Sequence, residues 1–382
     1  MRNGRRAQCK FSRARAYNTF RRRPVDVRVI PKPLTKLMST RLLQQTSFWS
    51  GLKSRLGWEA LAFDIEADKA PAGDVLILVR QVGGGSTIAY SPFGPEKLPD
   101  SDRRGEYLAA LSTELKTFLG PSCLFIRWDL PWISPYAEEE DSYDEDGYWR
   151  GPPETRLREL RMNWGVSDVG LRKAPTDILP PDTITLDLGG EEESILGRMR
   201  PKTRYNIGLS SRRGVRVREG SEKDLGTWQK LYDQTARRNG IVAHSPRYFE
   251  SLLSMGRSDA GAGLLIAEKN GKPLAAMFLS SSADRATYLY GASSGEERNL
   301  MAPYALQWEA IKRARKKGCT SYDLFGIAPR PDPEHPLYGL YRFKSGFGGT
   351  LIHRQGAWDY PYDERGYGIY LANESAAQGF HL

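Results

Sequence analysis

At 382 residues, with 40% hydrophobic and 11% aromatic side chains, the chain is too long for one ordinary core and too apolar to stay unfolded, so two globular domains are expected. Its formal charge of +10 is local: residues 1–33 hold eleven Lys or Arg against Asp26 alone, and the other 45 basic and 45 acidic residues cancel. This excludes nucleic-acid recognition by overall charge and leaves it to a local patch or to the basic tail.

That tail, residues 1–33, is expected to be a disordered extension; its composition equally suits a transit-type segment or an RNA-binding arm. It contains no apolar run long enough for a signal peptide or a membrane span. Three widely spaced cysteines, Cys9, Cys123 and Cys319, suggest reduced thiols in a cytoplasmic setting. The four histidines lack metal-ligand spacing, so no metal site is expected.

Apolar positions between Met38 and Leu56 recur at helical spacing and predict a first amphipathic helix. Strands are expected at 59–65, 74–82 and 87–90, a helix at 107–119 ended by Gly120 and Pro121, and a buried strand at 123–129 that finishes on Asp129. The acidic stretch between Ala137 and Gly147 is expected to be a solvated loop. A second unit opens with a strand near 180–188 and continues with a basic helical stretch over 191–211 and a strand at 215–219. Helices follow near 222–239 and 246–255. Strands 262–269 and 273–281 are joined by Asn270-Gly271, a two-residue hairpin signal. A strand at 285–290, a helix at 302–317 capped by Gly318, and a strand at 320–325 complete it. Strand, helix, antiparallel meander, helix, strand is the order of an acetyltransferase-type mixed sheet, and the length accommodates two.

The expected fold class is therefore α/β with mixed sheets, in two tandem GNAT-like domains. The boundaries fall at 34–180, completed by 345–382, and at 181–344. An acyl-CoA donor would need backbone N–H groups at a glycine-rich loop that opens a helix. Arg80 to Gly85, RQVGGG, has the glycines but precedes a strand, so Gly83 to Gly85 is predicted to be a hairpin turn.

Near the end, YGLYRFKSGFGG (338–349) sets Lys344 among aromatic rings and glycines. A cation partly removed from water there would hold a developing negative charge; the alternative is a surface lysine with its stem on aromatic packing. No Ser-His-Asp or Cys-His arrangement is visible, which argues against a covalent enzyme intermediate.

Several segments together resemble the FemABX family of tRNA-dependent aminoacyltransferases, which build the interpeptide bridge of bacterial peptidoglycan. They are PKTRYNIGLSSRRGVRVREG from Pro201, YLYGASS from Tyr288, APYALQW from Ala302, YDLFGI from Tyr322 and LYGLYRFKSGFGG from Leu337. Weaker matches lie at 48–58, at YSPFGP from Tyr90 and at 125–129. The resemblance implies a cytoplasmic transferase that moves an amino acid from aminoacyl-tRNA, its co-substrate, to a side-chain amine of a UDP-linked or lipid-linked peptidoglycan precursor. It also implies no cofactor, a monomer, and peripheral contact with the inner membrane face.

By the same resemblance Lys344 is the catalytic lysine that stabilises the tetrahedral intermediate, and Phe343 flanks the terminal adenosine. Asp129 stands near the acceptor amine, or is a strand-end turn acid. Lys53 and Arg212 resemble the pair that clamps the precursor's diphosphate. Arg204 and Tyr205 either extend that surface or form a solvated helix face. Tyr290 and Tyr304 are acceptor-pocket tyrosines or core packing. Phe93 stands where a basic residue is common in the family, and no coiled-coil arm interrupts 222–255. Two other readings remain open: a same-fold acyltransferase using acyl-CoA or another carrier, and a non-catalytic protein that binds RNA or a membrane.

Overall fold

The computed structural model describes residues 23–166, 170–240, 242–255 and 260–376. The first 22 residues of the expected tail lie outside them. Its last part does not behave as a tail: Val27–Lys32 is a strand, β1, whose Val27 and Val29 are buried. Alternation of apolar and polar residues suffices for a half-buried edge strand whatever the local charge.

The first half continues with α1 (Ser47–Arg55), β2 (Glu59–Ala67), β3 (Ala70–Gly83), β4 (Ser86–Ser91), α2 (Arg104–Leu119), β5 (Cys123–Ile133), α3 (Thr155–Met162) and β6 (Arg172–Lys173). The expected helix from Met38 starts only at Ser47, because Thr46 in extended conformation caps it by accepting the Trp49 N–H at 3.3 Å. The acidic stretch is an exposed loop, as expected. Short 3-10 turns occupy Pro135–Ala137 and Glu140–Ser142, and Trp149 beyond them is buried with its ring 4.2 Å from that of His353.

The second half comprises β7 (Asp182–Asp187), α4 (Glu192–Arg198), α5 (Pro201–Arg212), β8 (Arg216–Glu219), α6 (Leu225–Asn239), α7 (Pro246–Ser254), β9 (Ala260–Lys269), β10 (Lys272–Ser282), β11 (Arg285–Ser293), α8 (Ala302–Lys316), β12 (Ser321–Asp323) and α9 (Tyr338–Lys344). The basic helical stretch is split into α4 and α5 by Arg200, held extended at φ −61 and ψ 144 by the following Pro201. The chain closes with β13 (Thr350–Pro361) and α10 (Glu364–Ala376).

Among the described residues the strands form one sheet of thirteen, ordered β1-β2-β3-β4-β5-β13-β7-β12-β11-β10-β9-β8, with β6 also on β13. The two ends follow one grammar: an antiparallel meander, a helix (α2 or α8), then a strand parallel to the last of the meander, β5 beside β4 and β12 beside β11. This is the expected α/β architecture of paired acetyltransferase-like units. The glycines of RQVGGG form the β3–β4 turn, as predicted.

Strand β13 belongs to both units. Thr350 to His353 pair with β7, and Arg354 to Pro361 pair with β5. The register shifts between Arg354 and Gly356, and Gly356 is needed there: at φ +69 a Cβ would stand 2.2 Å from Asp177 Oδ1. One apolar cluster also spans the halves, joining Trp49, Trp58 and Tyr90 to Trp228, Phe249 and Phe278.

A buried charge cluster ties the chain end to β5. Arg127 on β5 donates to both oxygens of Asp359, at 2.7 and 2.8 Å, and to Glu374 Oε1 at 2.6 Å. The Tyr367 hydroxyl donates to Asp359 at 3.0 Å. Removing one partner would leave an uncompensated charge in the core. Asp359→Ala is expected to lower unfolding stability by about 3–5 kcal/mol, measured by urea denaturation; an unchanged midpoint would show that the cluster does not anchor α10.

Candidate functional site

Lys344, the last residue of α9, is 5% exposed. Its Nζ donates to the carbonyls of Gly326 at 2.7 Å and Phe325 at 3.2 Å, and lies 5.1 Å from the centre of the Tyr288 ring. Burial lowers its pKa to about 7, opposed by the charge of Asp323. The amine is thus desolvated and fixed, and near neutral pH it divides between charged and uncharged forms. The carbonyl pair is presented by a bend after β12, where Phe325 has φ +57 and Asp323 Oδ1 accepts the Phe325 N–H at 2.8 Å. Asp323 also takes the hydroxyl of Thr183 and lies 3.4 Å from the Arg354 guanidinium. The glycines after Lys344 serve packing: at Gly349, φ +92, a Cβ would approach the Thr185 carbonyl to 2.6 Å.

Asp129, on β5, is 1% exposed. Its Oδ2 accepts from the Tyr90 hydroxyl at 2.6 Å and the Leu179 N–H at 3.0 Å, while Oδ1 has no partner. Burial is the main cause that raises its pKa to about 7, against the lowering effect of Tyr90. The residue is therefore a buried acid within β5, not a strand-end turn acid in solvent.

Lys53 on α1 is buried with its Nζ over the rings of Trp58 and Trp49, at 5.4 and 5.6 Å. Burial, with repulsion from Arg80, lowers its pKa to about 8. Trp58 lies 6.2 Å from Tyr90, so Lys53, Trp58, Tyr90 and Asp129 form one continuous chain of contacts. A second chain leads from Asp129 to Lys344. The Gly94 N–H donates to the Asp129 carbonyl at 3.1 Å. The neighbouring Phe93 ring lies 6.4 Å from that of Phe325, whose carbonyl holds Lys344. Lys344 from one unit and Asp129 from the other thus flank the Phe93–Phe325 contact.

The remaining expected residues divide into three groups. Phe343 and Tyr304 meet edge-on at 5.1 Å, and Phe347 completes an aromatic ridge beside Lys344. Tyr290 shares a 2.9 Å hydroxyl contact with Tyr248, close to His244. Arg204, Tyr205 and Arg212 lie apart, on the exposed face of α5. There Tyr205, 53% exposed, has Lys202 and Arg212 against its ring at 5.2 and 5.9 Å. Arg204 donates to the Met199 carbonyl at 2.5 Å, at the start of its own helix.

Asp323, mid-strand between Tyr322 and Leu324, reads from the sequence as structural, and Tyr288, Phe325, Gly326 and Arg354 carry no individual role there. An acid between apolar residues in SYDLFG was the available signal for Asp323. Arg354 had none, since it reaches the site only through β13. Its guanidinium carbon stands 4.9 Å from the centre of the Phe93 ring, so a cation does occupy that region.

A mixed sheet built from two acetyltransferase-like units, with a buried lysine from one and a buried acid from the other, defines the class. The particular family follows from comparison: the FemAB family profile matches residues 34–270 and 262–374, and the chain belongs to that family. It is 23% identical over 265 residues to the lipid II:glycine glycyltransferase of Staphylococcus epidermidis, covering 53% of this chain and 63% of that protein. The enzyme of the same name from Staphylococcus aureus is 22% identical over 249 residues, covering 48% and 59%. The matched region thus spans about three fifths of these curated relatives. Among solved structures, the crystal structure of FemX superposes with a TM-score of 0.66 at 19% identity over 88% of this chain and 96% of that one, which establishes a shared fold. No helix among the described residues is long and apolar enough to cross a membrane.

The raised Asp129 pKa sets a direction. The folded state holds this proton between about pH 4, the unfolded value, and about 7, so stability contributed by protonation is lost as pH rises through 7. Asp129→Asn removes that loss. Its melting temperature relative to the parent is expected to rise between pH 5 and pH 8, read by calorimetry; a constant difference would show that Asp129 titrates normally.

Proposed function

We propose that this chain transfers an aminoacyl group from aminoacyl-tRNA to a side-chain amine of a peptidoglycan precursor, with no metal or cofactor in the reaction. Family membership and the relatives named lipid II:glycine glycyltransferase support this class of transfer and favour a lipid-linked acceptor. The observation that carries the reading is the fixed, desolvated Lys344 amine of one unit, together with a buried acid of the other, Asp129, whose Oδ1 has no partner.

In the proposed reaction the acceptor amine attacks the ester carbonyl, a C–N bond forms and the carbonyl oxygen becomes an oxyanion. Lys344 in its ammonium form, already oriented by two carbonyls, donates a hydrogen bond to that oxygen in surroundings where the interaction is strong. Asp129 Oδ1 takes the proton the amine loses. Collapse of the intermediate breaks the ester C–O bond, and the proton taken up by Asp129 is passed on, through solvent, to the leaving ribose oxygen, which restores the carboxylate. Tyr304 and Phe343 offer ring surface beside Lys344 for the terminal adenosine. Lys53 and Arg212 are the proposed contacts for the acceptor's diphosphate.

The test is reconstitution with charged tRNA and a lipid-linked precursor, following the new amide by mass spectrometry. Activity is expected to be bell-shaped and centred near pH 7, because Asp129 must be ionised and Lys344 charged, and each titrates at about 7. Lys344→Met is expected to reduce turnover more than tenfold with an unaltered circular dichroism spectrum. Full turnover in that variant would remove Lys344 from the chemistry.

A further inference from the structure

A second cluster of cations lies on the other face of the sheet. Trp128, Leu130 and Trp132 of β5 pack into the core beneath α2, so the alternation of the strand turns Asp129 to the opposite side. Between the start of α2, the end of β5, α3 and β13 is a cavity of about 30 Å³ lined by Arg104, Arg158 and Arg161 together with Tyr136, Gln355 and Trp358. A single water needs roughly 10–15 Å³ by the same measure, so the space suits a small polyatomic group.

The hydrogen-bond inventory around this cavity is one-sided. Arg104 is 7% exposed, Gln355 6% and Trp358 3%, and Arg104 Nε, Gln355 Nε2 and Trp358 Nε1 all lack a partner. Each of these is a donor, and buried donors are ordinarily satisfied. Neither Arg104 nor Arg158 has a carboxylate within 4 Å among the described residues. Arg158 reaches only the Gln355 carbonyl at 3.2 Å, with its guanidinium 6.0 Å from the Trp358 ring centre. Burial lowers the pKa of both arginines, and it outweighs the opposing charge of Glu138 on Arg104 and of Asp177 and Glu159 on Arg158. Asp102 stands on the rim and Glu139 holds Arg161 at 2.6 Å from outside, while Glu138, Asp177 and Glu159 act on the other two arginines through charge without a hydrogen bond.

We propose that this cavity binds a phosphate group, with the Arg104 and Arg158 guanidiniums as its principal partners and Arg161 exchanging Glu139 for it. Tetrahedral oxygens supply acceptors to several donors at once, and arginine forks suit them in a way a lone lysine does not. The phosphate has two conceivable sources: a soluble phosphate or its monoester, or the phosphodiester of a lipid. Leu157 and Leu160, exposed on α3, and exposed Ile133 beside the cavity give the lipid source an apolar skirt. The site is separate from the proposed transfer chemistry and does not depend on it.

The experiment uses the full chain with inorganic phosphate against sodium chloride of equal ionic strength. Phosphate is expected to raise the melting temperature by roughly 2–4 °C, with binding by calorimetry at least tenfold weaker in Arg158→Gln and in the more exposed Arg161→Gln. Equal effects of phosphate and chloride would overturn the proposal. So would a phosphate effect that survives both substitutions, or one lost only in Lys53→Ala and Arg212→Ala, which would place the phosphate at the proposed diphosphate contacts instead. Co-sedimentation with phosphatidylglycerol-containing vesicles, against phosphatidylcholine alone, separates the sources. Retention lost in Arg158→Gln assigns the site to a lipid phosphodiester, and phosphate binding without retention assigns it to a soluble ligand.

Discussion

The structure depends on the backbone pairing of β13. A strand that hydrogen-bonds to β7 over its first four residues and to β5 over the rest makes two units into one sheet. No side-chain contact could fix the two halves so firmly, because ladder hydrogen bonds set spacing and register together. Buried charge then secures the strand: Arg127 binds Asp359 within it and Glu374 beyond it. His353 and Arg354, adjacent on the same strand, reach Asp182 on β7 and Asp323 on β12.

The candidate site follows from that union. Its acid stands on β5 and its lysine on α9, next to the two strands that β13 joins. Both groups are held away from water by rings, and the same burial moves their pKa values toward neutrality from opposite directions. Neither arrangement favours stability. A buried amine held only by carbonyls and an acid with an oxygen left over are local conflicts with good packing, of the kind that accumulate where a fold serves chemistry.

The second cationic cavity has the same character on a different face. Its donors are surplus to the fold, whereas the Arg127 cluster, equally buried and equally charged, is fully paired. Comparing the two distinguishes a structural arginine from one available to a ligand. In the first case fixed carboxylates meet the fork; in the second, Arg104 and Arg158 have no carboxylate paired with them among the described residues.

Much was legible in the chain itself. Period-two alternation located most strands, Asn270-Gly271 and Gly83 to Gly85 announced their hairpins, and the repeated element order implied two related mixed sheets. The ring-and-glycine setting of Lys344 pointed to a sheltered cation, and segment resemblance identified the family. These features are local, set by propensity, turn chemistry and patterning within about ten residues. Tertiary structure alone decided the rest. It made β1 from part of a supposed tail, set Trp149 against His353, and buried Lys53 among tryptophans while leaving Arg212 on an exposed helix face. It also brought Arg354, Phe93 and Asp323 around the site across more than two hundred residues. Such outcomes rest on which strands pair and on how much water burial removes. Those quantities belong to the assembled fold, and no short stretch of sequence carries them.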